Sequence, residues 1–142
     1  MSEELNNKFW QMGQIWSNRN VDILDEVCAP DAVFHVFPFG TLDIEAQKQF
    51  MLDFNDAFPD FEVDRLEDIN VGNISVHRWK CSGTFTGKSA MMPVEPTGKE
   101  TFANGNHLVH WKDGKIVEVF HYGDWLGWLI GAGVLPPLPA PA

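Results

Sequence analysis

Gly105-Asn106-His107-Leu108-Val109-His110-Trp111-Lys112-Asp113-Gly114-Lys115-Ile116-Val117-Glu118-Val119-Phe120-His121-Tyr122 is the stretch on which the fold turns. Two runs of β-branched and aromatic residues flank Lys112-Asp113-Gly114. That tripeptide reads as a three-residue hairpin turn, with Gly114 left-handed and a bulge after it. The turn pairs Trp111 with Lys115, which sets Gly105 opposite His121 and His107 opposite Val119. Side chains alternate along a strand. His107, Val109, Val117, Val119 and His121 are therefore expected on one face, and Leu108, His110, Glu118, Phe120 and Tyr122 on the other. A two-residue turn would slip this register by one and part His107 from His121. Neither face is cleanly polar, so both are expected to be covered, one by helices and the other by a second subunit.

Upstream of the hairpin the pattern is helical first. Leu5, Phe9, Met12 and Trp16 recur at helical spacing up to Asn18-Arg19-Asn20. A second, short helix is expected from Val21 to Val27, with Asn20 as N-cap and Pro30 as its end. Ala32 to Phe37 then reads as a short strand carrying His35. A third helix starts near Asp43, whose carboxylate caps free backbone N–H groups, and stops at Pro59. Strands follow at Phe61 to Ile69 and Ser75 to Phe85, then Thr101 to Trp111 and Lys115 to Tyr122. Gly87 to Gly98, with Met91-Met92-Pro93 and Pro96-Thr97-Gly98, is too rich in proline and glycine for a strand and reads as a long loop. A last short helix begins at Asp124 and ends near Gly131 or Gly133. The order is α+β: helices, then antiparallel strands, consistent with a curved sheet wrapped over an N-terminal helix. Residues 1–135 form the one domain, and 136–142 a proline-rich tail expected to be extended and mobile.

Composition excludes several classes of function. The chain has 142 residues, 44% of them hydrophobic, which is enough apolar surface to rule out overall disorder. Six Trp and 11 Phe exceed what a minimal core needs and point to a pocket or a subunit interface. A net charge of −10 argues against nucleic acid and against an anionic membrane surface, since both call for basic patches. No apolar run reaches the roughly 18 residues of a membrane span. Met1-Ser2-Glu3-Glu4 is acidic where a signal peptide is basic, and Cys28 and Cys81 make no disulfide framework. A reducing cytoplasm is the expected setting.

Several motifs together resemble the SnoaL-like polyketide cyclases. They are Ala29-Pro30-Asp31-Ala32-Val33 followed by His35, Phe58-Pro59-Asp60, Met92-Pro93 with Pro96-Thr97-Gly98, Gly105-Asn106-His107, Lys112 to Glu118, and Asp124-Trp125-Leu126-Gly127. The resemblance covers about Phe9 to Pro136. It implies the cone-shaped α+β fold shared with nuclear transport factor 2 and ketosteroid isomerase. It also implies an open apolar cavity, acid–base chemistry without metal or cofactor, and a homodimer or homotetramer. The family's cyclases close a ring by intramolecular aldol condensation. They use an acidic side chain on the last strand and a histidine on the strand before it. That histidine matches His107, while gap-free counting from the Asp-Gly-Lys turn puts the acid's position at His121.

His107 and His121 are the first candidates for catalysis, because a pair of imidazoles holds a proton donor and an acceptor at once. The plainer alternative makes them hydrogen-bonded pocket liners. His35 is expected to reach the same cavity from the first strand. Three imidazoles raise the question of zinc or iron, but their spacing is no recognised metal motif. Neither metal nor cofactor is expected. His110 faces away, and His77 reads as a satisfied interior or interface histidine. Asp124 is expected to cap the last helix, or to replace the lost family acid. Trp16, Phe50, Phe54 and Trp79 are core or pocket wall, and Gly105 gives the cavity face a small residue. The expected ligand is a small apolar oxygenated molecule such as a polyketide. The chain is then a cyclase, isomerase or dehydratase, or else a non-catalytic binding module on the same scaffold. A protein-binding adaptor with a filled interior is a third reading.

Overall fold

The computed structural model describes residues 2–141, so Met1 and Ala142, the end of the expected tail, lie outside the described residues. The N-terminal amphipathic run forms α1 (Ser2–Gly13), which is separated by Gln14 from a short α2 (Ile15–Asn18). The single helix expected there is thus two. The next helix, α3 (Ile23–Val27), has Asp22 rather than Asn20 at its N-cap, and Asp22 makes no side-chain cap. It gives way to strand before Pro30, because β1 (Cys28–Val36) already starts at Cys28. Pro30 sits where β1 breaks its register with its neighbour, between Cys28 and Val33, so its missing N–H costs no ladder bond. β2 (Gly40–Leu42), a three-residue strand, was not expected. Asp43 caps α4 (Ile44–Ala57) as expected, its carboxylate accepting from Ala46 N at 2.8 Å.

The four expected strands are present as β3 (Glu62–Val71), β4 (Ile74–Thr84), β5 (Glu100–Lys112) and β6 (Lys115–Gly123), followed by α5 (Trp125–Gly131). They form one six-stranded sheet in the order β2-β1-β6-β5-β4-β3. All pairs are antiparallel except β1–β6, which is parallel, a pairing the purely antiparallel expectation lacked. The helices bury Phe9, Met12, Ile15, Leu24 and Met51 on the inner side of this sheet. Between β4 and β5 the expected loop has neither helix nor strand over residues 85–99. Residues 136–141 are exposed and likewise irregular.

The decisive hairpin differs in its turn. Lys112 pairs with Lys115 across a two-residue turn in which Asp113 (φ 52°) and Gly114 (φ 76°) are both left-handed. A bulge then follows: Trp111 pairs with Ile116 but His110 with Glu118, leaving Val117 unpaired. Ile116 therefore takes the buried inner position expected for Val117. The extra residue cancels the slip of the shorter turn. His107 faces His121 directly, not Val119 as the three-residue turn implied, and the two remain on one face.

Candidate functional site

Strand register builds the site. His77 of β4 pairs with His107 of β5, and His107 pairs with His121 of β6. The row continues to Asp68 of β3 on one side and Val36 of β1 on the other. A bulge between Arg65 and Glu67 turns Asp68 to the inner face. One step toward the rim, Trp79 pairs with Gly105, and Gly105 with Gly123. A Cβ on Gly105 would lie 2.4 Å from both the Trp79 ring and the Tyr122 carbonyl oxygen. Glycine there clears a lane across the sheet for the indole. Gly105 thus seats Trp79 and, contrary to the expectation, does not line the cavity.

Trp79 uses that lane to donate from Nε1 to Nδ1 of His107 at 2.8 Å. An indole nitrogen only donates. Nδ1 of His107 therefore carries no proton, and the neutral ring holds its hydrogen on Nε2. Burial, and the nearby His121 and His77 rings, push His107 well below the ordinary histidine range. Burial lowers His121 to about 4. The two neutral rings stack at 4.1 Å between centroids, 27° from parallel. Nδ1 of His121 is buried with no hydrogen-bond partner.

Both rings line an apolar cavity of about 50 Å³ between the sheet, α1, α2, α4 and α5. Phe9, Trp16, Phe54, Phe61 and Ala103 supply much of its wall, together with Trp79. Trp125 and Trp128 close it from α5, and their Nε1 atoms are buried without partners. Next to Gly123, the Nε1 of Trp125 and the Nε2 of His121 converge. They lie 3.6 and 3.7 Å from where a Cβ on that residue would stand. Asp124 lines the cavity too, while its Oδ1 accepts from Gly127 N at 2.8 Å and so caps α5.

Of the other candidates, Phe50 stands behind the wall, edge-on to Trp16 at 5.6 Å, and is not itself a lining residue. His35 is placed differently from the expectation. The inner face of β1 belongs to Phe34 and Val36, so His35 projects outward. There its ring stacks on Phe120 at 4.6 Å, with Nε2 2.7 Å from Glu118 and Nδ1 3.1 Å from Thr41. It takes no part in the cavity. Among the described residues no three His, Cys, Asp or Glu side chains are placed to hold a metal ion. Burial pushes the thiols of Cys28 and Cys81 up to about 12, which leaves neither a ready nucleophile.

Sequence reasoning missed the indoles of Trp125 and Trp128, although their i, i+3 spacing after Asp124 was a usable signal. It also missed the network behind the pair. His77 Nδ1 donates to Asp68 Oδ1 at 2.7 Å, and Ser75 Oγ lies 2.7 Å from His77 Nε2. Trp111 Nε1 donates to Ser75 Oγ at 2.8 Å, and Trp10 Nε1 to Asp68 Oδ1 at 2.9 Å. Burial lowers His77 despite Asp68. Burial pushes the Asp68 carboxyl up, but hydrogen bonds from His77, Trp10 and Arg65 outweigh it and hold the group below its usual range.

No described helix is long and apolar enough to cross a membrane. Among curated proteins, no relative matches the chain. Solved structures share its fold at low identity. AclR of Streptomyces galilaeus, a candidate hydroxylase, is 21% identical, with a TM-score of 0.83 over 98% of this chain and 87% of its own. IdmH of Streptomyces antibioticus, a candidate polyketide cyclase, is 22% identical, with a TM-score of 0.79 over 92% and 99%. A protein of Catenulispora acidiphila with a ketosteroid isomerase-like fold, in complex with trimethylamine, is 13% identical, with a TM-score of 0.73 over 98% and 100%. The profile of one family matches residues 9–129, nearly the whole described domain, and the chain belongs to that family, the SnoaL-like polyketide cyclases.

Proposed function

We propose that the chain is a cofactor-independent acid–base enzyme acting on a small apolar oxygenated molecule, such as a polyketide, by cyclisation, isomerisation or dehydration. The observation that carries this is the stacked pair His107–His121, in which the Trp79 indole fixes the tautomer of His107. His107, with its proton fixed on Nε2, is a donor to a developing oxyanion. His121, whose neutral ring keeps one nitrogen unprotonated, is the base. A base whose conjugate acid sits near 4 demands an acidified carbon, one flanked by two carbonyls. In ring closure the carbon's proton passes to His121. The enolate carbon then bonds to a second carbonyl carbon, and His121 returns the proton to the resulting alkoxide. Asp124, whose Oδ1 is engaged as a helix cap, lines the same cavity as its one carboxylate.

Replacing His121 by Gln should keep the fold and ligand affinity but lower turnover by about 10²–10⁴-fold, the usual range for one acid–base group. The low basicity of both rings favours a second reading, a binding module in which the histidines only orient the ligand. On that reading His121→Gln weakens affinity, and the unaltered protein turns over no diketone.

A further inference from the structure

A second cavity, of about 160 Å³, lies on the far side of α5. Its outer wall comes from three irregular segments: Phe39 ahead of β2, Met91-Met92-Pro93 in the β4–β5 loop, and Val134-Leu135 after α5. Its inner wall is Phe54, Trp125 and Trp128, the same side chains that close the histidine cavity. The irregular wall is tied down. Ser89 Oγ donates to Asp53 O at 2.5 Å, Thr97 Oγ1 to Ala132 O at 2.5 Å, and Val134 N to Leu129 O at 2.9 Å. The partition carries two buried indole N–H groups without acceptors, on Trp125 and Trp128. A buried donor left unpaired is costly, so the shared wall is built for an oxygen the chain itself does not supply. Among the described residues no lysine or arginine lines either cavity, and the one carboxylate is Asp124.

The geometry points to a two-chamber ligand site that takes a neutral, elongated molecule. Its reacting end stands at His107 and His121, an acceptor oxygen meets the Trp125 and Trp128 indoles, and its apolar tail fills the chamber behind Met92. This deepens the proposed function and rests on its assignment of the histidine cavity to substrate. Neutrality follows from the walls: a free carboxylate would enter with no cation to pair it and with Asp124 beside it, a desolvation that nothing offsets. Tail tolerance follows from Met91 and Met92, whose flexible thioethers fill gaps of varied shape. Trp125 is only partly buried and packs between His121 and Phe39, at 5.7 and 5.1 Å from their rings. It is the side chain a ligand must lie along to reach both chambers.

Straight-chain methyl ketones of increasing length, and carboxylates of matched length, are titrated by calorimetry against the full chain. Ketone affinity should rise about fourfold per added methylene until the tail chamber is full. Met92→Trp, and independently Leu135→Trp, fill that chamber and should abolish the rise while leaving the shortest ketones unchanged. Trp125→Phe, which keeps the ring and deletes the N–H, should weaken every ketone by about five- to tenfold. Carboxylates should bind at least about tenfold more weakly than ketones. Affinity independent of length, an unchanged rise in both filled variants, or carboxylates binding as well as ketones would overturn the two-chamber site. Length dependence that persists in a protein without turnover removes the enzymatic reading alone, and turnover of diketones without length dependence removes this one alone.

Discussion

The indole N–H of Trp79 donates to Nδ1 of His107 at 2.8 Å, across the strand and over a glycine. That one bond decides which nitrogen of His107 carries the proton, and so whether the ring is a donor or a base. Trp79→Phe removes only the N–H. It should leave Nδ1 buried and unpaired, cost about 1–3 kcal/mol of stability, and free the ring to change tautomer. Nitrogen-15 shifts of His107 should report a proton on Nε2 in the unaltered protein and a mixture in the variant. A proton on Nδ1 in the unaltered protein would reverse the roles given to the two histidines.

Burial lowers His77, His107 and His121 below the unfolded value of about 6.5. For a histidine lowered in this way the unfolded chain binds more protons wherever the pH lies between the two values. Stability is therefore complete above about pH 6.5 and falls as the pH drops toward the folded pKa. His121, lowered to about 4, accounts for about 3 kcal/mol of that loss by itself. Thermal unfolding should show a melting temperature several degrees lower at pH 5 than at pH 7.5, and His121→Gln should flatten the difference. An equal melting temperature at the two pH values would contradict the buried neutral pair.

Much of this was legible in the sequence because local signals agreed with the tertiary outcome. Asp43 and Pro59 bracket α4, and Asp124 starts α5, since caps and prolines act within one turn. The shared face of His107 and His121 was legible because parity survives any even shift. The turn itself was not. A two-residue turn plus a bulge at Val117 and a three-residue turn give the same parity but different partners, and the choice depends on packing Ile116 rather than Val117 inside. The outward direction of His35 follows from strand alternation rather than from its own polarity. Its neighbours Phe34 and Val36 hold the inner face. The Trp79 lane needs Gly105 and a strand 26 residues upstream, a contact no local pattern contains.

Gly105→Ala tests that lane. The added Cβ meets the Trp79 ring and the Tyr122 carbonyl oxygen, each at 2.4 Å, and the carbonyl is backbone that cannot swing aside. Trp79 should be displaced, at a cost of about 1–3 kcal/mol, and its bond to His107 lost. Trp79 fluorescence and the His107 nitrogen shifts should both change. A variant as stable as the parent, with those shifts intact, would mean that the lane is not needed.

Assembly is expected through the outer face of the sheet. Phe37 and Tyr122 stack there at 5.2 Å, each 46% exposed, and Phe102 is 64% exposed. These aromatic surfaces suit a self-complementary patch burying about 800 Å² per subunit. Light scattering at micromolar concentration should give at least twice the 16.1 kDa chain mass, and Phe102→Asp combined with Tyr122→Lys should lower it. A monomeric mass for the unaltered protein would exclude this assembly. His35→Phe on the same face should leave ligand affinity in the cavity unchanged.

Ser75, His77 and Asp68 stand in the order of a nucleophilic triad, with the imidazole bridging hydroxyl and carboxylate at 2.7 Å on each side. The surroundings deny it that role. Ser75 and His77 are fully buried, and neither lines the histidine cavity or its neighbour. Phe9 covers the His77 ring, stacked at 3.9 Å, and so closes the way to it from the cavity side. Every position in the chain is already used: Trp111 donates to Ser75, the Ser75 hydroxyl donates to the unprotonated Nε2 of His77, and Nδ1–H donates to Asp68. The network is a brace beside the histidine pair, joined to it where His77 pairs with His107. Ser75→Ala should cost about 1–3 kcal/mol, because it leaves the Trp111 donor unpaired in the core. Turnover below the melting range should change by less than about threefold, and a serine-directed fluorophosphonate should not label the protein. Labelling at Ser75, or a turnover loss as large as that of His121→Gln, would move the chemistry from the histidine pair to this network.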